Sequence, residues 1–215
     1  MKQVNMKIDG VEVAVEAGAT VLQAAKQAGI KIPTLCHDDR LSPFGACRLC
    51  SVEIARGNMS RIVASCVYPV EEGLVVNTQT EKVNKIRKVI MELLQARSPG
   101  LKEELADRYG VDKTKLEREP TFCILCGLCV RYCAEVKKAN AVGFIGRGTD
   151  RQVVFFPEIA LRTCPTCKEC FSICPTGIIP SDLVVAVPRF TSYPTVFPVR
   201  LRDDKNTRSL VDTIK

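Results

Sequence analysis

Apolar and polar residues alternate through Val4-Asn5-Met6-Lys7-Ile8 and again through Val11-Glu12-Val13-Ala14-Val15, with Asp9-Gly10 between the two runs. Period-two alternation around an Asp-Gly pair predicts a β-hairpin, because a turn with positive φ at both central residues matches the twist of the strands. Thr20 then precedes Val21, Leu22, Ala25 and Ala28, with Gly29 after them. A hydroxyl cap at the start and a glycine stop at the end predict a helix. Ser51-Val52-Glu53-Ile54 and Arg61-Ile62-Val63-Ala64 look like strands. From Glu81 to Arg97, Val83, Ile86, Val89, Ile90, Leu93 and Leu94 recur at helical spacing with Lys and Arg between them. That stripe predicts an amphipathic helix packed on the flanking domains, its basic face in solvent. Pro99-Gly100 stops it, and Leu101 to Tyr109 reads as a shorter helix ending at Gly110. Val142 to Ile145 and Gln152 to Phe156 read as a hairpin around Gly146-Arg147-Gly148-Thr149-Asp150. The fold class is therefore α+β.

The cysteines change this picture from a plain fold to a set of sites. Cys123, Cys126, Cys129 and Cys133 are spaced C-x2-C-x2-C-x3-C, and Cys164, Cys167, Cys170 and Cys174 repeat the pattern 41 positions later. A pair of such runs is what two [4Fe–4S] clusters need: three thiolates from one tight loop, and a fourth from the other run. The spacing assigns Cys123, Cys126, Cys129 and Cys174 to one cluster and Cys164, Cys167, Cys170 and Cys133 to the other. Zinc also takes C-x2-C pairs, but overlapping pairs ending in C-x3-C would leave its ligands crowded and unused. Pro175 follows Cys174 while Ala134 follows Cys133, a small departure because proline shapes the exit turn and is not a ligand. Pro175-Thr176-Gly177-Ile178-Ile179 is expected to cover a cluster with apolar side chains.

Cys36, Cys47, Cys50 and Cys66 form a third group, separated by ten, two and fifteen residues. Three thiolates from a wrapping loop and one from a distant strand end fit a [2Fe–2S] cluster; a zinc site is the alternative on ligand type. Gly45 and Ala46 beside Cys47 are small enough to let backbone N–H groups approach bridging sulfides.

All 12 cysteines are used by these sites, and with no signal peptide apparent they point to a reducing, cytoplasmic setting rather than to disulfides. No apolar run approaches the roughly 18 residues of a membrane span. The formal charge of +7 would raise nucleic acid as a partner, but each four-thiolate cluster carries about −2 when oxidised. Three clusters bring the total to about +1, so the basicity reads as compensation for buried cluster charge. Glycines 143, 146 and 148 are in the wrong order for a dinucleotide fingerprint.

Thr34-Leu35-Cys36-His37, Arg40-Leu41, Gly45-Ala46-Cys47-Arg48-Leu49-Cys50-Ser51-Val52-Glu53 and Ala64-Ser65-Cys66 resemble the N-terminal ferredoxin domain of the large iron–sulfur subunit of respiratory complex I. The same module occurs in the small diaphorase subunit of NAD-linked hydrogenases, in iron-only hydrogenases and in some formate dehydrogenases. The resemblance covers about residues 1 to 96 and resumes from about 120 to 183. It implies a β-grasp domain with [2Fe–2S] on Cys36, Cys47, Cys50 and Cys66. It also implies a domain order of 1–80 [2Fe–2S] ferredoxin-like, 81–118 helical connector, 119–183 two-[4Fe–4S] ferredoxin, and 184–215 extended tail. The family usually carries a further cluster on one histidine and three cysteines, whereas this chain has neither residue type between Val67 and Phe122. His37, the only histidine, is expected to support the [2Fe–2S] site without ligating it.

No phosphate loop, flavin or nicotinamide motif, or triad is readable, so no catalytic residue is assigned. The chain is expected to be a non-catalytic relay in a cytoplasmic hetero-oligomeric oxidoreductase. The resemblance implies as partners a flavin- and NAD(H)-binding subunit and a catalytic subunit of hydrogenase, formate dehydrogenase or related type. A free-standing multi-cluster carrier is the alternative; a complete iron-only hydrogenase would need cysteine motifs beyond residue 183, which are lacking. The tail, with prolines at 188, 194 and 198 and with Phe190, Tyr193 and Phe197, is expected to lie across a partner.

Overall fold

The computed structural model describes residues 2–57, 59–117 and 121–179. The tail expected from 184 to 215 lies outside the described residues. The first hairpin pairs β1 (Gln3–Ile8) with β2 (Val11–Glu16) in register Gln3↔Glu16 to Ile8↔Val11. Its turn has Asp9 at φ 49° and Gly10 at φ 84°, the positive pair that an Asp-Gly hairpin needs. The Asp9 carboxylate also accepts from the Thr78 amide at 2.6 Å and from its hydroxyl at 2.5 Å, tying the turn to a distant strand end.

Helix α1 (Val21–Gln27) begins where expected. The Thr20 hydroxyl accepts from the Gln23 amide at 3.3 Å while the Gln23 side chain accepts from the Thr20 amide at 2.8 Å, a reciprocal cap. A second hairpin, β3 (Ser51–Arg56) with β4 (Met59–Ala64), and the short β5 (Val75–Asn77) complete a five-stranded sheet ordered β2-β1-β5-β3-β4. β5 runs parallel to β1 and antiparallel to β3, so the two hairpins are joined through a strand from late in the domain. The alternating inward residues Val4, Met6, Ile8, Val13 and Val15 meet Val21, Leu22, Ala24 and Ala25 of α1 in one core.

Helix α2 (Glu81–Arg97) has the expected bounds, and Val83, Ile90 and Leu94 of the expected stripe pack inward, but the buried face is rotated from the rest of it. Val89 and Leu93 from the apolar stripe are 44% and 55% exposed, whereas Val83, Arg87, Met91 and Gln95, four apart, face inward. The reason is polar: this face meets backbone carbonyls. Arg87 donates to Ser51 and Thr78, and Gln95 Nε2 donates to the Leu101 carbonyl at 3.0 Å. The buried Glu92 pairs with Lys115 at 2.7 Å. Helix α3 (Glu103–Arg108) is shorter than the stretch expected and closes against α2.

The second half is built from α4 (Leu128–Arg131), a π-helical turn (Tyr132–Val136), β6 (Val142–Ile145), a 3₁₀ turn (Gly148–Asp150), β7 (Gln152–Phe155), α5 (Pro157–Cys167) and α6 (Glu169–Ser172). The expected hairpin forms, except that Phe156 leaves the strand to cap α5. Ala141, Val142, Val153, Phe155 and Ala160 make a small core that includes Cys129, with Cys123, Cys133, Cys164, Cys170 and Cys174 packed on it. The α+β class is as expected, and among the described residues no helix is long and apolar enough to cross a membrane.

Replacing Thr20 with Ala should cost about 1 kcal/mol at α1, the usual worth of such a cap. Amide exchange in residues 21–28 should rise about fivefold; unchanged exchange there would show that packing alone holds the helix.

Candidate iron–sulfur sites

Cys36, Cys47, Cys50 and Cys66 are all buried. The loop between α1 and β3 brings in the first three, and Cys66 follows the end of β4. The Cys47 amide donates to the Cys36 sulfur at 3.3 Å, and the sulfurs of Cys50 and Cys66 stand 3.3 Å apart. Gly45, at φ 71°, has space for this turn, while an added Cβ would lie 3.3 Å from a Val67 methyl. The thiols interact in pairs. The hydrogen bond shared with Cys36 lowers the Cys47 pKa and that shared with Cys66 lowers the Cys50 pKa, against the opposing effect of burial. Cys36 and Cys66 are correspondingly raised, first by the same hydrogen bonds and then by burial. Charge on Cys50, Cys36 and Cys47 each acts on Cys66, so the quartet behaves electrostatically as one site.

In the second half, two cavities sort the remaining cysteines. One is lined by Cys123, Cys126, Cys129 and Cys174. The other is lined by Cys133, Cys164, Cys167 and Cys170. Each therefore takes three thiols from one run and one from the other. Cys129 and Cys133 lie four residues apart along α4 and the π-helical turn, a rise of about 6 Å that carries them to different cavities. Pro175, Thr176, Ile178 and Ile179 wall the first cavity, where an apolar cover was expected.

The two runs differ in local form. Phe122, Leu125 and Gly127 have φ of 55°, 52° and 73°, so the first run winds as a loop of left-handed steps between its cysteines. This directs backbone N–H groups at sulfur: the Leu125 amide reaches Cys123 and the Leu128 amide reaches Cys126, each partly offsetting burial. Burial still dominates and pushes Cys126 up to about 12. The second run is no loop. Cys164 and Cys167 occupy the last turn of α5, one helical turn apart on one face. Lys168, at φ 47°, then turns the chain so that Cys170 joins them. Burial raises Cys164 to about 11 and Cys170 to about 12, with neighbouring thiols adding to both.

All-sulfur donor sets around a cavity fit a polynuclear iron–sulfur group. Among the described residues, no three His, Cys, Asp or Glu side chains converge on a single-ion position. His37 lies against Asp39, Nε2 to Oδ1 3.0 Å, and Lys26 holds the same carboxylate. Lys26 first and then His37 depress the Asp39 pKa.

The two halves meet over these sites. Leu35, Cys36, Leu41 and Cys47 share one core with Cys126, Leu128 and Tyr132, and charge on Cys47 acts on Cys126. Arg131 locks the junction: its guanidinium donates to the Cys36 carbonyl at 2.7 Å and the Ser42 carbonyl at 2.6 Å and lies 4.7 Å from the Phe44 ring centre. Arg40 stacks on the Tyr132 ring in return. Sequence reasoning missed Arg131. Its only signal was a basic residue set between Cys129 and Cys133.

Residues 1–81 match the family described as 2Fe-2S iron-sulfur cluster binding domain, and residues 114–180 match that of the NADH-quinone oxidoreductase subunit 3, ferredoxin-like domain. Among similar proteins, the mitochondrial NADH-ubiquinone oxidoreductase 78 kDa subunit of Candida albicans is 30% identical over 98% of this chain and 31% of its own length. The protein of the same description from Neurospora crassa is 30% identical over 97% of this chain and 30% of its own. The NADPH-Fe(3+) oxidoreductase subunit alpha of Geobacter sulfurreducens is 33% identical over 91% of this chain and 26% of its own. The chain thus spans about a quarter to a third of the length of these curated relatives. A chain in the crystal structure of an NAD+-reducing [NiFe]-hydrogenase in the H2-reduced state superposes with TM-score 0.63 at 29% identity, covering 71% of this chain and 74% of that one.

Arg131→Met should loosen the junction by about 1.5–3 kcal/mol, the range for a hydrogen bond from a charged donor. Protease cleavage within residues 38–48 would report it, and native resistance there would show that the shared core suffices.

Proposed function

Because the chain is homologous to the 78 kDa subunit of NADH-ubiquinone oxidoreductase and to a subunit of NAD+-reducing [NiFe]-hydrogenase, we propose that it is the electron relay of an NAD(H)-linked hetero-oligomer. The observation that carries this reading is the exchange of fourth cysteines: each of two cavities is completed by a thiol from the opposite run. In this reading Cys36, Cys47, Cys50 and Cys66 hold a [2Fe–2S] cluster. Cys123, Cys126, Cys129 and Cys174 hold one [4Fe–4S] cluster, and Cys164, Cys167, Cys170 and Cys133 hold the other. When bound, these groups supply one-electron transfer. The domains they occupy are 1–80 and 119–183, joined by the helical connector 81–118.

The chain's own residues do three things. Its thiolates fix the spacing of the sites, with Cys47 and Cys126 in one apolar core so that no water layer separates the first pair. Its backbone amides at Leu125 and Leu128 place positive dipoles beside sulfur. Its side chains Val153, Ile178 and Ile179 exclude water from the first cavity, which lets those dipoles act in a low dielectric. Cys133, Cys164, Cys167 and Cys170 are all only partly buried, whereas the [2Fe–2S] thiols are fully buried. Their cavity is the point at which a second subunit would come close. Turnover belongs to the partners: a flavin- and NAD(H)-binding subunit on one side and a catalytic oxidoreductase subunit on the other. A cytoplasmic setting agrees with twelve thiols kept reduced.

The exchange makes a selective prediction. Cys174→Ala should remove the ligand of the cluster held by Cys123, Cys126 and Cys129, and Cys133→Ala that of the other. Each anaerobically purified variant should lose up to about four of about ten iron atoms and keep the [2Fe–2S] EPR signal. Loss of the signals in the reverse pairing would contradict the assignment. Purification of the native chain from its own cells without any flavin-containing partner would contradict the relay.

A further inference from the structure

Arg87 is among the most deeply enclosed side chains of the protein, with 0% exposure, and it carries a charge. It sits on α2 where that helix crosses β3. Its Nη2 donates to the Ser51 carbonyl at 2.8 Å, one residue beyond Cys50. Its Nη1 donates to the Thr78 carbonyl at 3.0 Å and to the Tyr109 hydroxyl at 3.4 Å. Its Nε, also buried, has no partner. Among the described residues no carboxylate forms a salt bridge with it. An enclosed guanidinium bound only to neutral acceptors is an expensive arrangement, because desolvation of a cation is repaid only by an opposite charge. Burial accordingly lowers the Arg87 pKa, and the charges that pull it back are those of Tyr109 and Cys50. Cys50 belongs to the thiol quartet of Cys36, Cys47, Cys50 and Cys66.

We propose that Arg87 is the buried counter-charge of the [2Fe–2S] site, a positioning residue whose fixed charge favours the more negative, reduced state. The inference rests on the ligand assignment given above for Cys36, Cys47, Cys50 and Cys66. Reduction adds one electron from the donor subunit, breaks no bond and moves no proton, so the site gains one full negative charge. A permanent cation enclosed with it in low dielectric lowers the free energy of that state relative to the oxidised one. Arginine suits the position better than lysine: it cannot deprotonate when buried, and its fork reaches two carbonyls, one of them on the residue next to Cys50. The same two bonds join β3, β5 and α2, so the residue that stabilises the reduced state also holds the connector against the cluster domain.

Redox titration of the anaerobically purified full chain, followed through the [2Fe–2S] EPR signal, tests the proposal. Arg87→Gln keeps an amide donor and removes the charge; Arg87→Lys, titrated at about pH 6, far below the ordinary lysine pKa, so that the ammonium stays protonated, keeps the charge with fewer donors. R87Q should shift the reduction equilibrium at least about tenfold toward the oxidised state, a potential about 59 mV lower for one electron. R87K should stay within about threefold of the native chain, and the [4Fe–4S] signals should move in neither variant. If R87Q loses the site while R87K keeps it at a near-native potential, the charge is again what matters. A native potential in R87Q, or equal displacement or equal loss of the site in both variants, overturns the proposal and leaves Arg87 a mechanical clamp. A native chain without any [2Fe–2S] signal overturns instead the ligand assignment beneath it.

Discussion

Anionic sulfur enclosed by protein is the constraint on which the rest of this structure depends. A thiolate deprived of water costs several kcal/mol unless something positive replaces the solvent, and this chain encloses thiols in three groups. The replacements are visible at each group. Left-handed steps at Phe122, Leu125 and Gly127 turn amides toward Cys123 and Cys126. A close turn at Gly45 brings the Cys47 amide to Cys36. Arg87 stands behind Cys50 without a carboxylate. The formal excess of +7 is thus partly internal.

The same constraint explains why the halves of the molecule are joined as they are. The separation of the thiol groups is held by packed side chains, not by a linker. Cys36 and Cys47 lie in one core with Cys126, and Arg131 crosses from the second half to two carbonyls of the first. Tyr132, Glu169 and Lys137 continue that contact toward the cavity of Cys164, Cys167 and Cys170. The three thiol groups are thus joined through this junction, and the chain has no cysteine or histidine between Val67 and Phe122.

Features set by neighbouring residues were legible in the sequence. The Asp9-Gly10 hairpin, the Thr20 cap and the Glu81–Arg97 helix all depend on short spacings, and each has a local physical cause. Features set by what an element meets were not. Apolar periodicity on α2 marked Val83, Ile90 and Leu94, which pack inward, but also Val89 and Leu93, which are exposed; the facing surface offers carbonyls, so Arg87 and Gln95 went inside. Arg87 lies at four-residue spacing between Val83 and Met91, a polar interruption of a buried stripe that could have marked it. Two identical cysteine spacings also concealed two conformations, because Pro157 and the residues after it carry a helix up to Cys167.

Anomalous scattering at the iron absorption edge from anaerobically grown crystals of the intact protein tests the central claim most directly. The account predicts iron at three places: among Cys36, Cys47, Cys50 and Cys66; among Cys123, Cys126, Cys129 and Cys174; and among Cys164, Cys167, Cys170 and Cys133. Iron held by all the cysteines of a single run, or zinc in place of iron at these thiols, would contradict it.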